Sequence, residues 1–206
     1  MIIELFGLPG ASKTMLAKEF EQNSDFKIIK VSNKRELLFF NLIYLLKHPL
    51  KFFITLGYVI KNSPNWKLFY YKFMNFFLDT NAKYQKSFKY KNAILDQGYF
   101  QNVLSIFEKP IDGDMLRKYL NFLLWPDKLI VLDSPFSKLE IRNKSRGYFP
   151  RQKMGEDYLN QWKVVLQKNY ETFKKILTTI LLDYLIVDAD QDIKEIYKDA
   201  HDFINK

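Results

Sequence analysis

The sequence has 206 residues, 48% of them hydrophobic and 17% aromatic, which is enough for one sizeable core and excludes a disordered chain. It contains no cysteine, which excludes disulfides, thiolate metal sites and a cysteine nucleophile. The two histidines, His48 and His201, are far apart, which argues against a histidine-rich metal site, and the net charge of +9 predicts anionic partners: nucleotides, nucleic acid or a membrane surface.

A phosphate-binding loop is predicted at the start of the chain. The apolar run 2–6 indicates a buried strand, and residues 15–20 indicate an amphipathic helix. Backbone N–H groups in such a loop favour an anion, to which Lys13 adds a positive charge, while the Thr14 hydroxyl can hold Mg²⁺. The alternative is a strand-turn-helix junction with a chance Lys-Thr pair. The residues expected to bind the nucleotide are Gly7, Pro9, Gly10, Ala11, Ser12, Lys13 and Thr14.

Ser12 departs from the usual pattern G-x-x-x-x-G-K-[ST], which has glycine directly before the lysine. Glycine is favoured where the backbone passes close to a phosphate or takes a positive φ. The Cβ of Ser12 is therefore expected to strain the loop.

A helical region follows a second predicted strand at 27–31. Apolar residues at helical spacing predict three helices within about 36–88, the third running from Trp66 to about 88. We interpret this region as a helical insertion that either packs on its own domain, covers an acceptor, or touches a membrane surface through its apolar faces and flanking lysines. The longest apolar run, 37–46, is too short to span a membrane, and no signal peptide is visible, so a cytoplasmic protein is expected.

Strands and helices alternate through the rest of the chain. The pattern predicts strands at 92–96, 128–132 and 183–188, helices at 99–107, 114–124, 136–145, 159–177 and 193–204, and a mobile basic loop at 147–155. Such alternation predicts a parallel sheet with helices on both faces, whose ligands bind at the carboxyl ends of the strands. Lys13, Asp96 and Asp133 each follow a strand, so one shared site is expected.

Two aspartates and three arginines are candidates for this site. Asp96 can hold Mg²⁺ or accept a proton from an attacking hydroxyl, or it can only cap the next helix; Asp133 is equally consistent with a turn. Arg142 and Arg146 are four residues apart and share a helix face, and Arg151 follows in the loop. Their forked guanidinium groups suit the charge on a transferring phosphoryl group, although a solvated basic helix end has the same pattern.

These pieces, in this order, resemble the P-loop nucleoside and nucleotide kinases, most of all thymidylate-kinase-like proteins. The resemblance rests on Gly7 to Thr14, on Leu95-Asp96-Gln97, and on Leu132-Asp133-Ser134-Pro135 with the arginines and Gly147. It implies a three-layer α/β P-loop NTPase fold, with a parallel sheet of about five strands in a single domain 1–206 and a lid at about 136–155. It also implies Mg²⁺-dependent transfer of the ATP γ-phosphoryl group, with lid arginines closing over the phosphates.

Two departures shape the expected substrate. Gln97 stands where these kinases usually have an arginine that would bind an acceptor phosphate, so a hydroxyl acceptor such as a nucleoside or a sugar is expected, bound by Gln97 and Gln101. The insertion is unlike a thymidylate kinase's short substrate region, so thymidylate is not predicted. The rival hypothesis is an ATP- or GTP-binding module without chemistry that acts through the insertion. No nucleic-acid partner is expected, and the oligomeric state, a dimer included, is left open.

Overall fold

Five parallel strands form the centre of the molecule in this computed structural model, which describes residues 1–147 and 149–206. They are β1 (Ile2–Phe6), β2 (Lys27–Ile28), β3 (Ala93–Leu95), β4 (Lys128–Asp133) and β5 (Asp183–Asp188). Their order in the sheet is β2-β3-β1-β4-β5, so β1 lies in the middle, with Ile3 opposite Ile94 and Leu5 opposite Ile130. The predicted parallel α/β sheet is confirmed.

The helices surround this sheet. They are α1 (Lys13–Asn23), α2 (Lys34–Lys47), α3 (Pro49–Lys61), α4 (Trp66–Lys72), α5 (Asp79–Ser87), α6 (Tyr99–Ile106), α7 (Gly113–Asn121), α8 (Phe136–Ser145), α9 (Glu156–Leu177) and α10 (Ile193–Ile204). One group is formed by α1 and α10, and another by α6, α7 and α9. In the second group the Phe6 ring of β1 stacks on Phe173 at 4.0 Å between centroids, and Phe173 meets Phe100 edge-on at 5.8 Å. These aromatic contacts join the central strand to α6 and α9.

The region between β2 and β3 is helical, as predicted, but its third helix is not uniform. A π-helix at Phe73–Leu78 separates α4 from α5 without a break in the chain. The side-chain amide of Asn41 in α2 donates to the Leu78 carbonyl at 2.8 Å, which ties α2 to this π-helix. Such single-turn π segments often lie near functional sites.

Several predicted boundaries differ from the structure. The second strand covers only Lys27–Ile28 rather than 27–31, because its neighbour β3 is itself short and offers few further ladder partners. The helix predicted at 114–124 is Gly113–Asn121. The loop predicted at 147–155 contains a short 3₁₀ helix at Gln152–Met154; Tyr148, which belongs to this loop and to the predicted lid, lies outside the described residues.

Within the described parts of the chain, no single helix is long and apolar enough to cross a membrane. Only α2 and α3 together reach the required length and hydropathy, and they are bent by 116° at the corner between them.

Candidate active site

The predicted phosphate loop connects β1 to α1 through two residues with positive φ. Gly10 has φ +92°, and Ser12, directly before the helix, has φ +60°. Ala11 N–H donates to the Leu8 carbonyl, and the Ser12 carbonyl accepts the N–H groups of Met15 and Leu16 in α1. The loop encloses a cavity of about 290 Å³ lined by Pro9, Gly10, Ala11, Ser12, Lys13, Thr14, Met15, Gln97, Asn143, Arg146 and Pro150.

Lys13 is folded back into its own loop. Its Nζ donates to the carbonyls of Gly7 at 2.7 Å and Leu8 at 3.0 Å. Burial lowers the pKa of Lys13 from 10.5 to about 8; the nearby Asp96 carboxylate opposes this fall and Arg146 adds to it. An anion in the loop would favour the charged form of this lysine and so raise its pKa again.

Packing requires glycine at position 7. A Cβ at this position would lie 2.6 Å from the Leu132 carbonyl of β4, closer than atoms tolerate. The loop therefore begins tightly against the neighbouring strand.

Asp96 and Gln97 follow β3, and the structure brings both to the loop. Asp96 acts electrostatically on Lys13 and lies 3.9 Å from Lys83, which is more tightly paired with Asp79 at 2.8 Å. Gln97 is exposed and lines the phosphate-loop cavity. The Asp96 carboxylate therefore acts on Lys13 of the loop and has no close ion-pair partner among the described residues.

The donors near the loop fit Mg²⁺. Thr14 is exposed at the start of α1, and the Asp96 carboxylate acts electrostatically on Lys13. Among the described residues no group of three or more His, Asp and Glu side chains is arranged to hold a metal. This donor set matches the usual mode of Mg²⁺, which takes one or two protein ligands and completes its shell with phosphate oxygens and water.

Gln101 is hydrogen-bonded to the phosphate loop. Its side chain is buried, and its Oε1 accepts the Gly7 N–H at 3.0 Å, so it anchors the start of the phosphate loop. Its own backbone N–H donates to Glu4 Oε1 at 2.8 Å. The substrate contact expected of Gln101 stays a prediction; in this structure its Oε1 supplies the acceptor that a buried N–H group of the loop needs.

Glu4 was missed by the sequence analysis. It lies inside β1, fully buried, where it also accepts the Tyr84 hydroxyl at 2.6 Å. Burial raises the pKa of Glu4 to about 7, against hydrogen bonds from Tyr84 and the first N–H groups of α6. Gly98 must be glycine, since its Cβ would lie 2.4 Å from this carboxylate. A charged residue within the apolar run 2–6 was the only signal for it.

Asn143 was also missed, although it lines the phosphate-loop cavity. Its side-chain amide donates to the Pro9 carbonyl at 2.9 Å and to Leu139 at 2.8 Å. A Cβ on Gly10 would lie 3.0 Å from the same amide nitrogen. Asn143 therefore joins α8 to the loop, a role with no recognisable sequence pattern.

Arg142 and Arg146 lie on different parts of the site. Arg146 lines the phosphate-loop cavity, as expected. Arg142 instead donates to Asp190 at 2.9 Å and to the Ala189 carbonyl at 3.1 Å, and Lys138 also pairs with Asp190 at 2.7 Å. Arg142 is thus held in a neighbouring cavity of about 380 Å³, which shares Ser12, Met15 and Arg146 with the first. The remaining lining residues of this second cavity are Ser145, Ala189, Gln191, Asp192, Ile193 and Ile196.

Arg151 is not in the phosphate-loop cavity. Its side chain is buried and donates to Glu108 at 2.7 Å, to the Tyr158 hydroxyl at 2.5 Å and to the Ser105 carbonyl. Its guanidinium also lies 4.4 Å from the Trp162 ring centroid. In this structure the carboxylate of Glu108, rather than a phosphate, neutralises Arg151, which differs from the expected role.

Asp133 also has a protein partner. It accepts the Tyr170 hydroxyl at 2.7 Å and pairs with Lys174 at 3.2 Å. Of the two interpretations of Asp133, these contacts favour a structural role at the end of β4.

Similarity to known proteins appears in structure rather than in sequence. The sequence matches no protein-family model and no curated protein. The solved structure of deoxyadenosine kinase from M. mycoides with the products dCMP and dCDP is similar over 100% of this chain and 99% of that chain, with TM-score 0.57 and 23% identity. The same kinase with bound dATP gives TM-score 0.55 and 17% identity over the whole of both chains. The YorR protein of Bacillus subtilis in complex with phosphorylated GDP gives TM-score 0.52 and 17% identity, over 100% and 96%.

This chain has the P-loop kinase fold. Its strand order is β2-β3-β1-β4-β5, with the predicted phosphate loop directly after the central strand β1.

Proposed function

We propose that this protein is an ATP-dependent kinase that transfers the γ-phosphoryl group to a hydroxyl of a nucleoside or a related small molecule. The observation that carries the proposal is the phosphate loop: a buried Lys13 without a carboxylate partner in hydrogen-bond contact among the described residues, at the start of α1, with Asp96 nearby. Loop N–H groups and Lys13 would bind the β- and γ-phosphates. The neighbouring cavity beside Arg142 and Gln191, with its apolar walls, would take the base and ribose of the donor.

Asp96 and Thr14 would hold Mg²⁺. The bound ion would neutralise part of the negative charge of the phosphates. Asp96 would also accept the proton of the attacking hydroxyl, directly or through water. Arg146 would stabilise charge on the transferring group, since it lines the loop cavity beside Lys13. Arg142 would contribute from the adjoining cavity, and Arg151 would act from the lid only after leaving Glu108.

The acceptor has a candidate pocket on the other side of the lid segment. A cavity of about 680 Å³ is lined by Lys67, Tyr70, Tyr71, Asn75, Arg151, Gln152, Lys153 and Met154. It shares Gln152 with a smaller cavity of about 260 Å³, which in turn shares Asn143 with the phosphate-loop cavity. Aromatic walls with two amides, Asn75 and Gln152, suit a planar, polar acceptor such as a nucleoside, and Gln97 would contact it from the phosphate-loop cavity.

One observation favours the rival hypothesis of a nucleotide-binding module without chemistry. Lys13 already donates to two carbonyls of its own loop, which must be given up before it can bind a phosphate. Together with Ser12 at positive φ, this describes a loop that opens at a cost in free energy.

The deciding experiment measures ATP consumption with nucleosides, sugars and lipid-linked sugars, in wild type and in Asp96→Asn. We expect an acceptor-dependent turnover that falls by about 10²–10⁴ in the variant, because an amide is neither a base nor a good Mg²⁺ ligand. Asp79→Asn is the matched control, since Asp79 shares Lys83 with Asp96 but does not follow a strand. Tight Mg·ATP binding with no acceptor that raises wild-type turnover above Asp96→Asn would favour the module instead.

A further inference from the structure

One carboxylate lies inside the central strand, shortly before the phosphate loop. Glu4 is fully buried in β1 between Ile3 and Leu5, and the loop begins three residues later at Gly7. A buried carboxylate is costly in free energy unless hydrogen bonds satisfy it. An apolar residue is therefore the ordinary choice at such a position, and the contacts of Glu4 show what the carboxylate adds.

The hydrogen bonds of Glu4 join two elements from distant parts of the chain. Its Oε1 accepts the backbone N–H of Gln101 at 2.8 Å, and the N–H groups of Tyr99 and Phe100 also interact with the carboxylate. Its Oε2 accepts the Tyr84 hydroxyl of α5 at 2.6 Å. The first turn of α6 and the helical region between β2 and β3 therefore meet at one carboxylate.

Glu4 takes the place of a local N-cap for α6. The residue before this helix is Gly98, which has no side chain to cap it. The Gly98 backbone lies so close to the carboxylate that a Cβ there would be 2.4 Å from Glu4 Oε2. A negative charge at this point satisfies free N–H groups and the positive end of the helix dipole. A serine or aspartate at position 98 would also cap α6, but only a cap from β1 fixes the helix relative to that strand.

The contact leads to the candidate active site in two directions. Asp96 stands two residues before Gly98, so the turn that Glu4 holds is the one that presents the Asp96 carboxylate. In the other direction, Gln101 Oε1 accepts the N–H of Gly7, at the start of the phosphate loop, at 3.0 Å. Glu4 therefore links the carboxylate after β3 to the loop after β1.

The same part of α6 is also tied to the helical region. The side-chain amide of Asn102 donates to the Phe76 carbonyl at 2.7 Å and to the Thr80 hydroxyl at 2.8 Å. Phe76 belongs to the π-helix, which also carries Asn75 at the candidate acceptor cavity. The beginning of α6 thus lies between the nucleotide side and the acceptor side of the proposed site.

We propose that Glu4 is a positioning residue for the phosphoryl transfer proposed above, on which this inference rests. Because Glu4 is fully buried, it acts through α6 rather than on the reactants. It holds the first turn of α6 and thereby sets the Asp96 carboxylate at its working distance from the phosphate loop. Such a hold matters because a misplacement of about 1 Å can lower a reaction rate by about 10²-fold.

Two substitutions separate the position of this side chain from its charge. Glu4→Asp keeps the charge but draws the carboxylate back from α6 by one methylene, so kcat should fall by about 100-fold. Glu4→Gln keeps the length and an acceptor for the Gln101 N–H, so kcat should stay within about threefold of wild type. The loss of charge should be tolerated, because burial already raises the pKa of Glu4 to about 7. ATP consumption is measured with the acceptor that gives the highest turnover in the screen above.

A double-mutant cycle with Asp96→Asn tests whether Glu4 acts through Asp96. In the Asp96→Asn background, Glu4→Asp should lower kcat by less than about threefold, because the group that it misplaces is already inactive. A general structural effect would lower kcat by the same factor in both backgrounds.

Leu120→Ala is the control for stability, because Leu120 is fully buried in α7 and its truncation leaves a cavity. This variant should turn over like wild type at a temperature at which circular dichroism shows every variant folded. Glu4→Asp with the kcat of wild type, Glu4→Gln as impaired as Glu4→Asp, or additive effects in the cycle would overturn the positioning role and leave the kinase proposal intact. A wild type without acceptor-dependent turnover would instead overturn the kinase proposal and the positioning role together.

Discussion

Two buried lysines, Lys13 in the phosphate loop and Lys72 beside the lid segment, show how the same residue serves different purposes. Burial lowers the pKa of each to about 8. Lys72 bonds to the Glu108 carboxylate at 2.6 Å and to two backbone carbonyls, and Glu108 also holds Arg151. Lys13 bonds only to carbonyls of its own loop among the described residues.

The difference lies in what neutralises the charge. Around Glu108 the fold provides its own anion, so the cluster joins α4, the loop after α6, the start of the 3₁₀ helix at Gln152–Met154 and α9. Around Lys13, the proposed function would have a ligand phosphate supply the anion. We therefore expect substitutions in the first cluster to change stability and those in the phosphate loop to change nucleotide binding.

The largest expected effect is on stability. Glu108→Gln leaves Lys72 and Arg151 as buried cations without a carboxylate, and should lower the free energy of unfolding by about 3–5 kcal/mol. Urea unfolding measures this, and Mg·ATP affinity of the folded variant should be unchanged. Glu140→Gln is the control, because its pair with Lys163 is partly exposed and is worth under about 1 kcal/mol. Equal losses in the two variants would contradict a structural role for the cluster.

Lys13→Met should show the opposite pattern. It keeps the apolar stem and removes the charge, so Mg·ATP affinity should fall by about 100-fold while the free energy of unfolding stays the same or rises, since a buried cation without a carboxylate is costly. Calorimetric titration measures the affinity. Lys18→Met, at an exposed position of the same helix, should bind like wild type. Unchanged affinity in Lys13→Met would refute the phosphate-loop interpretation.

The pH dependence of nucleotide binding tests the same lysine. The pKa of Lys13 in the nucleotide-free protein is about 8, and a bound phosphate would raise this pKa because it favours the charged form. Above pH 8 the free protein loses this proton before the complex does, so Mg·ATP affinity should fall by up to about tenfold per pH unit. The slope should vanish in Lys13→Met. In the absence of nucleotide, the unfolded lysine holds its proton to higher pH, so Lys13 and Lys72 should both make stability rise with pH from about 8 to 10.5.

Ser12→Gly is expected to have the smallest effect. At φ +60° the serine carries a backbone cost on the order of 1–3 kcal/mol, part of which a bound anion must offset. Glycine should relax the loop and tighten Mg·ATP binding by about tenfold or less. A clear loss of affinity at the same ionic strength would instead make the Ser12 hydroxyl a phosphate ligand.

The phosphate loop and the order of strands and helices could be predicted because their causes are local. Residues 7–14 are contiguous, so their backbone can form a cradle without help from distant residues, and the apolar runs of period two and 3.6 follow directly from strand and helix geometry. Asp96 could be placed near Lys13 for a different reason, which is that parallel strands of one sheet end at the same edge.

Only the tertiary structure decided which polar side chains form hydrogen bonds or ion pairs within the protein. Gln101 is 94 residues from the Gly7 N–H that it accepts, and Arg151 is 43 residues from Glu108. Both look available in the sequence, yet each is taken by a buried partner, because an unpaired polar group or charge in the interior costs more than a distant contact. The role of Glu4 could not be predicted, because in the sequence it is a single charged residue within an apolar strand. Its hydrogen-bond partners, Tyr84 and the first residues of α6, come from distant parts of the chain.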